Sequence, residues 1–152
     1  DDDTLGAAAI ISEQVEEFRS IFLDEETPAR LREFKPVVLL FALQSVAEAI
    51  QDAVRSCDFV SRYGGDEFLL WLPETGSQSL DAVCDRIMDG VSQLSFANNP
   101  LTVSMGLFSF TGDNSDKRHI DAQIHRLIEK ADQSLYQAKQ QGRNRIVQKR
   151  KP

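Results

Sequence analysis

Residues 55–72 read RSCDFVSRYGGDEFLLWL, and this stretch decides how the rest of the chain is arranged. Two segments of strand character flank the pair Gly64 and Gly65, a strong hairpin signal because a type I′ turn needs positive φ at both central residues. We therefore predict a tight antiparallel hairpin with two carboxylates, Asp66 and Glu67, at its tip. Glycines without side chains beside two carboxylates suit the close approach of a phosphate and a metal ion.

Hydrophobic spacing on both sides of the hairpin predicts an alternation of helices and strands. Strand character marks residues 37–41, 59–63, 68–72, 101–108 and 145–148. Helical spacing marks residues 12–25, 42–55, 80–94 and 120–141, the last ending at a Gly142 cap, and residues 1–11 read as a linker. The order predicts an α+β (α/β-like) single domain with a central five-stranded sheet flanked by helices. Because the hairpin is antiparallel, we expect a mixed sheet.

One junction in this pattern is irregular. The apolar run Val37 to Phe41 has the character of a buried central strand, yet it passes directly into a helix that starts at Ala42. Such connections normally need a loop of about 2–6 residues. We therefore expect that residues are missing between Phe41 and Ala42.

Length and composition bound the classes of function. At 152 residues the chain fits one domain, which we divide into an N-terminal linker and helix (residues 1–33) and a signature-bearing part (residues 34–152). The net charge of −7 argues against a nucleic-acid polymer as partner, whereas Mg²⁺ can join nucleotides to an acidic protein. Cys57 and Cys84 are expected to be reduced and structural, which favours the cytoplasm. No apolar run is long enough to insert into a membrane.

Each candidate functional residue also has an ordinary explanation when it is taken alone. The two hairpin carboxylates fit a solvated turn. Arg55 and Asp58 lie three residues apart, where an exposed ion pair worth less than about 1 kcal/mol is common. Lys139 and Arg143 lie at the C-terminal end of the long helix, where cations complement the helix dipole without any ligand.

Taken together, the motifs resemble the GGDEF family of diguanylate cyclases. The matching segments are RSCD at residues 55–58, GGDEF at 64–68, LTVSMG at 101–106 and ADQSLYQAKQQGRNR at 131–145. They lie in the family's order and at its spacing within about residues 34–147. The resemblance implies a palm-like sheet similar to that of nucleotidyl cyclases, with the GGDEF hairpin over the nucleotide.

The resemblance also implies a reaction. In the family, two domains form a homodimer in which each holds one GTP, and the two GTP condense to cyclic di-GMP and two pyrophosphates. The implied cofactor is Mg²⁺ or Mn²⁺. Such domains serve bacterial second-messenger signalling downstream of a sensor or neighbouring signalling domain, in the cytoplasm or as the cytoplasmic part of a membrane-anchored protein.

Family roles transfer to matching residues of this chain. The implied catalytic and metal residues are Asp66 and Glu67; the substrate-binding residues are Gly64, Gly65, Lys139 and Arg143; the residues of the RxxD product-inhibition site are Arg55 and Asp58. Phosphoryl transfer is dominated by positioning and by cations that offset developing charge, which agrees with these residue types.

The chain departs from the family in its first third. The family's first strand ends in an Asp-x-Asp pattern that ligates the metal, and the following helix carries an Asn and an Asp that recognise guanine. We expect that segment at the junction of Phe41 and Ala42, where it is absent. The family's opening Asp-x-Leu-Thr-Gly-Leu-x-Asn-Arg-Arg pattern is also unmatched, with residues 10–18 in its place.

Three hypotheses follow from this departure. The first, which we favour, is an active diguanylate cyclase with product inhibition, provided that the missing segment exists in the native chain. The second is a catalytically degenerate GGDEF module that acts as a receptor for cyclic di-GMP or GTP. The third is a dimerisation module that binds neither nucleotide.

Overall fold

A computed structural model of the protein describes residues 4–13, 35–96, 99–111 and 120–150. The elements are β1 (Thr4–Glu13), α1 (Lys35–Ala53), β2 (Phe59–Arg62), β3 (Glu67–Pro73), α2 (Ser77–Ser92), β4 (Ser95–Phe96), β5 (Asn99–Pro100), β6 (Val103–Thr111), α3 (Ile120–Gln140) and β7 (Ile146–Arg150). Within the described ranges, no helix combines the length and the apolar character needed to cross a membrane.

The described strands form a five-stranded sheet in the order β2-β3-β1-β6-β7, and β4 pairs with β5 in a separate two-stranded ribbon. In the large sheet, β7 runs parallel to β6, and the other neighbours are antiparallel. The predicted mixed five-stranded α+β fold is thus confirmed.

The central strand of the sheet is β1, which the sequence did not predict. The assignment of residues 1–11 to a linker and of Ser12 to the start of a helix is wrong, because residues 4–13 pair with β3 on one side and with β6 on the other. Alanine has the highest helix propensity, so three consecutive alanines argue against the prediction of a strand. Tertiary pairing overrides that preference here. The rest of the helix predicted to residue 25 lies outside the described residues.

The strand predicted at residues 37–41 is also wrong, since α1 runs without interruption through Phe41 and Ala42. The hydroxyl of Ser45 donates to the carbonyl oxygen of Phe41 at 3.0 Å, one helical turn earlier. A short apolar run cannot distinguish a strand from a helix by periodicity alone. A single helix needs no connecting loop, so the reason to expect missing residues at this junction disappears.

The helices cover the sheet from both sides. Apolar side chains of α1 and α2 pack on one face, and α3 packs on the other through Ala131 and Leu135. A Cβ built on Gly106 of β6 would collide with the backbone of α3 at both of these residues. Glycine at this position therefore allows α3 to lie directly on the sheet, which determines where its C-terminal end falls.

The two cysteines differ in environment. Both are unpaired, with Cys84 buried on α2 and Cys57 exposed. Burial raises the pKa of the Cys84 thiol to about 12, which keeps it protonated and unreactive at neutral pH. The burial of Cys84 is consistent with the structural role predicted for it. The same prediction is wrong for Cys57, because its side chain lies at the surface.

Candidate functional site

The predicted hairpin is formed by β2 and β3, with Arg62 and Phe68 as the last pair before the tip. The strands are joined by residues 63–66, a longer connection than the two-residue turn that the sequence predicts. Neither Gly64 nor Gly65 has a positive φ, so the prediction of a type I′ turn is wrong. A four-residue connection can be built without positive φ, which removes that requirement.

Hydrogen bonds within the tip hold its backbone in one arrangement. The N–H groups of Tyr63 and Gly64 both donate to the carbonyl oxygen of Glu67, at 2.7 and 3.2 Å. The Arg62 guanidinium donates to the carbonyl oxygen of Gly64 at 3.3 Å and to that of Gly65 at 3.2 and 2.6 Å. Carbonyl groups of the tip are therefore occupied by Arg62.

The opposite edge of the tip remains open. The amides of Gly65 and Asp66 donate to no group in the described part of the chain. A Cβ built on Gly65 would meet no atom within 4 Å. A Cβ on Gly64 would lie 3.3 Å from Oε2 of Glu67, so a side chain there would press on that carboxylate. The tip thus presents two backbone donors and two carboxylates to solvent.

The fold brings Lys139 to the hairpin. Its Nζ lies 3.8 Å from Oε1 of Glu67, and the two side chains are 33% and 28% exposed. The close packing of α3 on Gly106 places the end of the helix beside the tip. Glu67 and Lys139, which come from separate motifs of the sequence, are therefore neighbours in the structure.

The chain leaves α3 through a left-handed turn. Gly142 has φ 108°, in agreement with the predicted cap, and Arg143 and Asn144 follow with φ 62° and 45°. The Asn144 amide donates to Oγ of Ser104 at 3.2 Å. Positive φ in consecutive residues other than glycine costs free energy, and structures retain it where neighbouring contacts hold it. This turn places Arg143 just beyond Lys139, at the same end of α3.

A row of residues crosses the sheet beside the hairpin. In the strand register, Ser12 of β1 lies opposite Glu67 on one side and opposite Ser104 on the other. Directly opposed residues lie on the same face, and neighbouring strands are about 4.8 Å apart, so Glu67 and Ser104 are separated by about 10 Å. Glu13, the next residue, is opposite Val103 and outside this row. Ser12 therefore lies between the hairpin and the α3 turn.

The described residues do not fit a bound divalent cation. The GGDEF resemblance implies an aspartate at the end of the family's first strand. The first strand of this chain is β1, which has Ser12 opposite Glu67 and ends at Glu13. No three His, Cys, Asp or Glu side chains in the described ranges lie close enough to hold a metal. Glu67 is paired instead with an ammonium group, which repels a metal ion. The expected location of the metal aspartate, after residues 37–41, is wrong because that segment is helical.

Arg55 and Asp58 form a second candidate site. Arg55 donates its backbone N–H to Oδ2 of Asp58 at 2.7 Å, and its Nη2 donates to Oδ1 at 3.0 Å. The Asp58 side chain is fully buried, while that of Arg55 is 44% exposed. The expectation of an ordinary exposed ion pair is therefore wrong for Asp58. The pKa of Arg55 is raised above its ordinary value, chiefly by the side-chain hydrogen bond to Asp58.

Two further acceptors hold the same guanidinium. Nη2 of Arg55 donates to the Pro73 carbonyl oxygen at 2.9 Å and to Oγ1 of Thr75 at 2.7 Å. Thr75 is buried and also donates to the Pro73 carbonyl at 3.0 Å. Pro73 ends β3 and Glu67 begins it, so the two candidate sites lie about 20 Å apart along one strand.

Sequence reasoning missed four residues that shape these sites: Ser12, Thr75, Ser104 and Gly106. Only Gly106 carried a usable signal, because a glycine inside a strand pattern often marks a close backbone approach. The other three are small polar residues in unremarkable sequence. Their roles follow from contacts with distant parts of the chain.

Comparisons with known proteins show which family the chain resembles. The family model "Diguanylate cyclase, GGDEF domain" matches residues 41–145. The chain is 34% identical over 109 residues to diguanylate cyclase A of Treponema denticola, covering 69% of this chain and 28% of that protein. It is 40% identical over 109 residues to diguanylate cyclase DosC of Escherichia coli K12, covering 68% of this chain and 22% of that protein. The chain thus spans about a quarter of the length of these relatives.

Solved structures share the fold. The GGDEF domain of DgcB from Caulobacter crescentus in complex with c-di-GMP superposes with a TM-score of 0.70 at 22% identity, covering 95% of this chain and 78% of that one. The active GGEEF domain of a diguanylate cyclase from Vibrio cholerae gives 0.68 at 22% identity, covering 97% and 84%. Both superpositions extend over more of the chain than the family model does, which begins at residue 41.

Proposed function

The chain belongs to the GGDEF family of diguanylate cyclase domains, a family of cyclic di-GMP signalling, and we propose that it is a receptor that binds cyclic di-GMP through Arg55. The observation that supports this function is the fixed position of the Arg55 guanidinium. Asp58, Pro73 and Thr75 all accept hydrogen bonds from Nη2. The protein itself therefore holds the guanidinium in place, without a ligand.

The Arg55 guanidinium retains donors for a ligand. Its Nη1 group has no acceptor among the described residues, and the side chain is 44% exposed. A planar guanidinium presents its donors in a fixed fork that matches phosphate oxygens and the O6 and N7 acceptors of guanine. Cyclic di-GMP offers both groups. Because the side chain is already ordered, binding costs little conformational entropy.

The test is calorimetric titration of the 152-residue protein with cyclic di-GMP, without metal ions. We expect binding that Arg55→Ala weakens by about tenfold or more, since a charge-assisted hydrogen bond contributes about 1.5–3 kcal/mol. Arg126→Ala is the matched control, because Arg126 is an exposed arginine on α3, away from this site. Unchanged affinity in Arg55→Ala would refute the receptor function.

A second candidate function is the condensation of two GTP to cyclic di-GMP. The intact Gly64 to Phe68 signature and the approach of Lys139 to Glu67 favour it. In this function Asp66 and Glu67 would act in catalysis, Lys139 and Arg143 would bind the triphosphate, and two copies of the chain would have to associate. Diguanylate cyclases of the family generally use divalent metal ions. The described residues here supply two neighbouring carboxylates and no third.

Incubation of the intact protein with GTP and Mg²⁺ or Mn²⁺ separates the two candidate functions. We expect no cyclic di-GMP, because no group of three candidate metal ligands lies among the described residues. Product formation that is lost in Glu67→Gln would establish the cyclase instead. The control is the same assay without any added divalent ion.

The wider setting is also part of the proposal. The chain spans about a quarter of the length of these relatives, which supports a place beside a sensor or signalling domain. The proposed location is the cytoplasm. We also propose that the chain acts as one domain, with the signature-bearing part at residues 34–152. The central place of β1, which comes from the first 33 residues, in the sheet supports this.

A further inference from the structure

We propose that the hairpin binds the polyphosphate chain of a nucleotide without a divalent cation, with the Lys139 ammonium that faces Glu67 supplying the positive charge at its tip. This function concerns the opposite end of β3 from Arg55 and does not depend on cyclic di-GMP binding. The ligand chemistry is a chain of linked phosphates, as in a nucleoside triphosphate.

The first support is that the described residues around the hairpin do not form a metal site. Among the described residues no group of three candidate ligands exists, and Ser12 takes the register position next to Glu67. Nζ of Lys139 lies 3.8 Å from the Glu67 carboxylate, so this carboxylate already faces a cation. A lysine ammonium is a compact point charge on a flexible stem, which allows it to turn from a carboxylate to a phosphate.

The second support is the set of donors around Lys139. The amides of Gly65 and Asp66 donate to nothing in the described ranges, and they adjoin the open space at Gly65. Successive backbone N–H groups in a turn bind anionic oxygens. On the other side of Lys139, the α3 turn carries Arg143, and Ser104 holds that turn about 10 Å from Glu67. This span suits a chain of phosphates better than a single one.

The local charges determine which substitution should strengthen binding. In a metal-dependent site Glu67 is a ligand of the cation, so removing its charge weakens nucleotide binding. Here Glu67 competes with the phosphates for Lys139 and repels them. Glu67→Gln should therefore increase affinity, while Lys139→Met should reduce it. The two mechanisms predict opposite signs for the same variant.

The experiment is calorimetric titration of the full chain with GTP, ATP and inorganic tripolyphosphate, each in EDTA and again in excess Mg²⁺. We expect binding in EDTA that is at least as tight as in Mg²⁺, that tightens about threefold in Glu67→Gln and that weakens about tenfold in Lys139→Met. Tripolyphosphate binding equal to that of GTP assigns the affinity to phosphates alone, and a preference for GTP over ATP adds recognition of the base. All of these outcomes support the proposal.

Lys130→Met is the matched control, because Lys130 is an exposed lysine on the same helix and makes no side-chain contact with the hairpin. Weaker binding in Glu67→Gln, a requirement for Mg²⁺, or no binding of any probe would overturn the proposal. Arg55→Ala separates this result from the receptor function, since it should leave polyphosphate binding unchanged even where it abolishes cyclic di-GMP binding.

Discussion

The two ends of β3 carry the two candidate sites, and they are built in different ways. At the Pro73 end, a guanidinium is held by three acceptors, and the carboxylate of Asp58 and the hydroxyl of Thr75 belong to buried groups. At the Glu67 end, the ion pair between Lys139 and Glu67 is 3.8 Å long, and both partners are about a third exposed.

This difference separates a preorganised site from an adaptable one. Hydrogen bonds between a charged group and buried acceptors contribute about 1.5–3 kcal/mol, whereas an exposed ion pair contributes about 0–1 kcal/mol. Arg55 therefore keeps one position whether or not a ligand is present. Lys139 can exchange Glu67 for a ligand at little cost. In the proposed functions, the same strand thus carries one site that is ordered before binding and another that rearranges on binding.

The largest expected effect comes from Gly106→Ala, which disturbs one end of β3 and spares the other. The added Cβ would collide with the backbone of α3, so we expect a loss of about 3 kcal/mol in the free energy of unfolding, measured by urea denaturation. Displacement of α3 also moves Lys139. Polyphosphate binding should therefore fall while cyclic di-GMP binding persists in the folded fraction.

Gly65→Ala is the matched control for that variant. A Cβ at Gly65 meets nothing within 4 Å, and its φ is not positive, so the unfolding free energy should change by less than about 0.5 kcal/mol. Equal losses in the two variants would show that α3 is not held by its contact with β6.

A smaller effect is expected from Asp58→Ala at the Pro73 end. The change removes the main partner of Arg55, but that side chain is 44% exposed and can regain water. We therefore expect a loss of about 1–2 kcal/mol in the free energy of unfolding, together with weaker cyclic di-GMP binding. Chemical denaturation and calorimetry measure the two quantities. Asp132→Ala, at an exposed position on α3, controls for the loss of a negative charge.

The smallest effect is expected from Glu67→Gln at the hairpin. Because the ion pair with Lys139 is long and partly exposed, the free energy of unfolding should change by less than about 0.5 kcal/mol. Urea denaturation at low and high salt measures it, and the change should shrink further at high salt. A loss above about 1.5 kcal/mol would mean that the two ends of β3 are equally rigid, and it would contradict the view that the Glu67 end is the more adaptable one.

Local patterns predicted a large part of this fold. The hairpin, α2, α3, β6 and β7 appear where hydrophobic spacing places them, within a few residues. The errors fall on β1 and α1, where alanines and a short apolar run each fit either type of element. In both segments, packing against distant parts of the chain decided between helix and strand.

The residues of the candidate sites divide in the same way, into those that local patterns predict and those that depend on distant parts of the chain. Residues carried by a contiguous motif, such as Glu67 and Lys139, could be identified from the sequence and lie together in the structure. Ser12 could not, because its place opposite Glu67 depends on pairing between strands that are far apart in the chain. The sequence also predicted that Arg55 and Asp58 would interact, but the burial of the Asp58 side chain was not predictable.

By itself, the sequence identified the residues of the hairpin, the Arg55 and Asp58 pair and the family, because each of the two motifs lies within one short segment and the motifs together indicate the family. Only the tertiary structure decided which strand stands beside the hairpin and which residues complete each site. The reason is physical: a motif records local geometry, whereas a β-sheet selects its strand partners through hydrogen bonds and burial contributed by remote segments. In this chain that selection places Ser12 opposite Glu67.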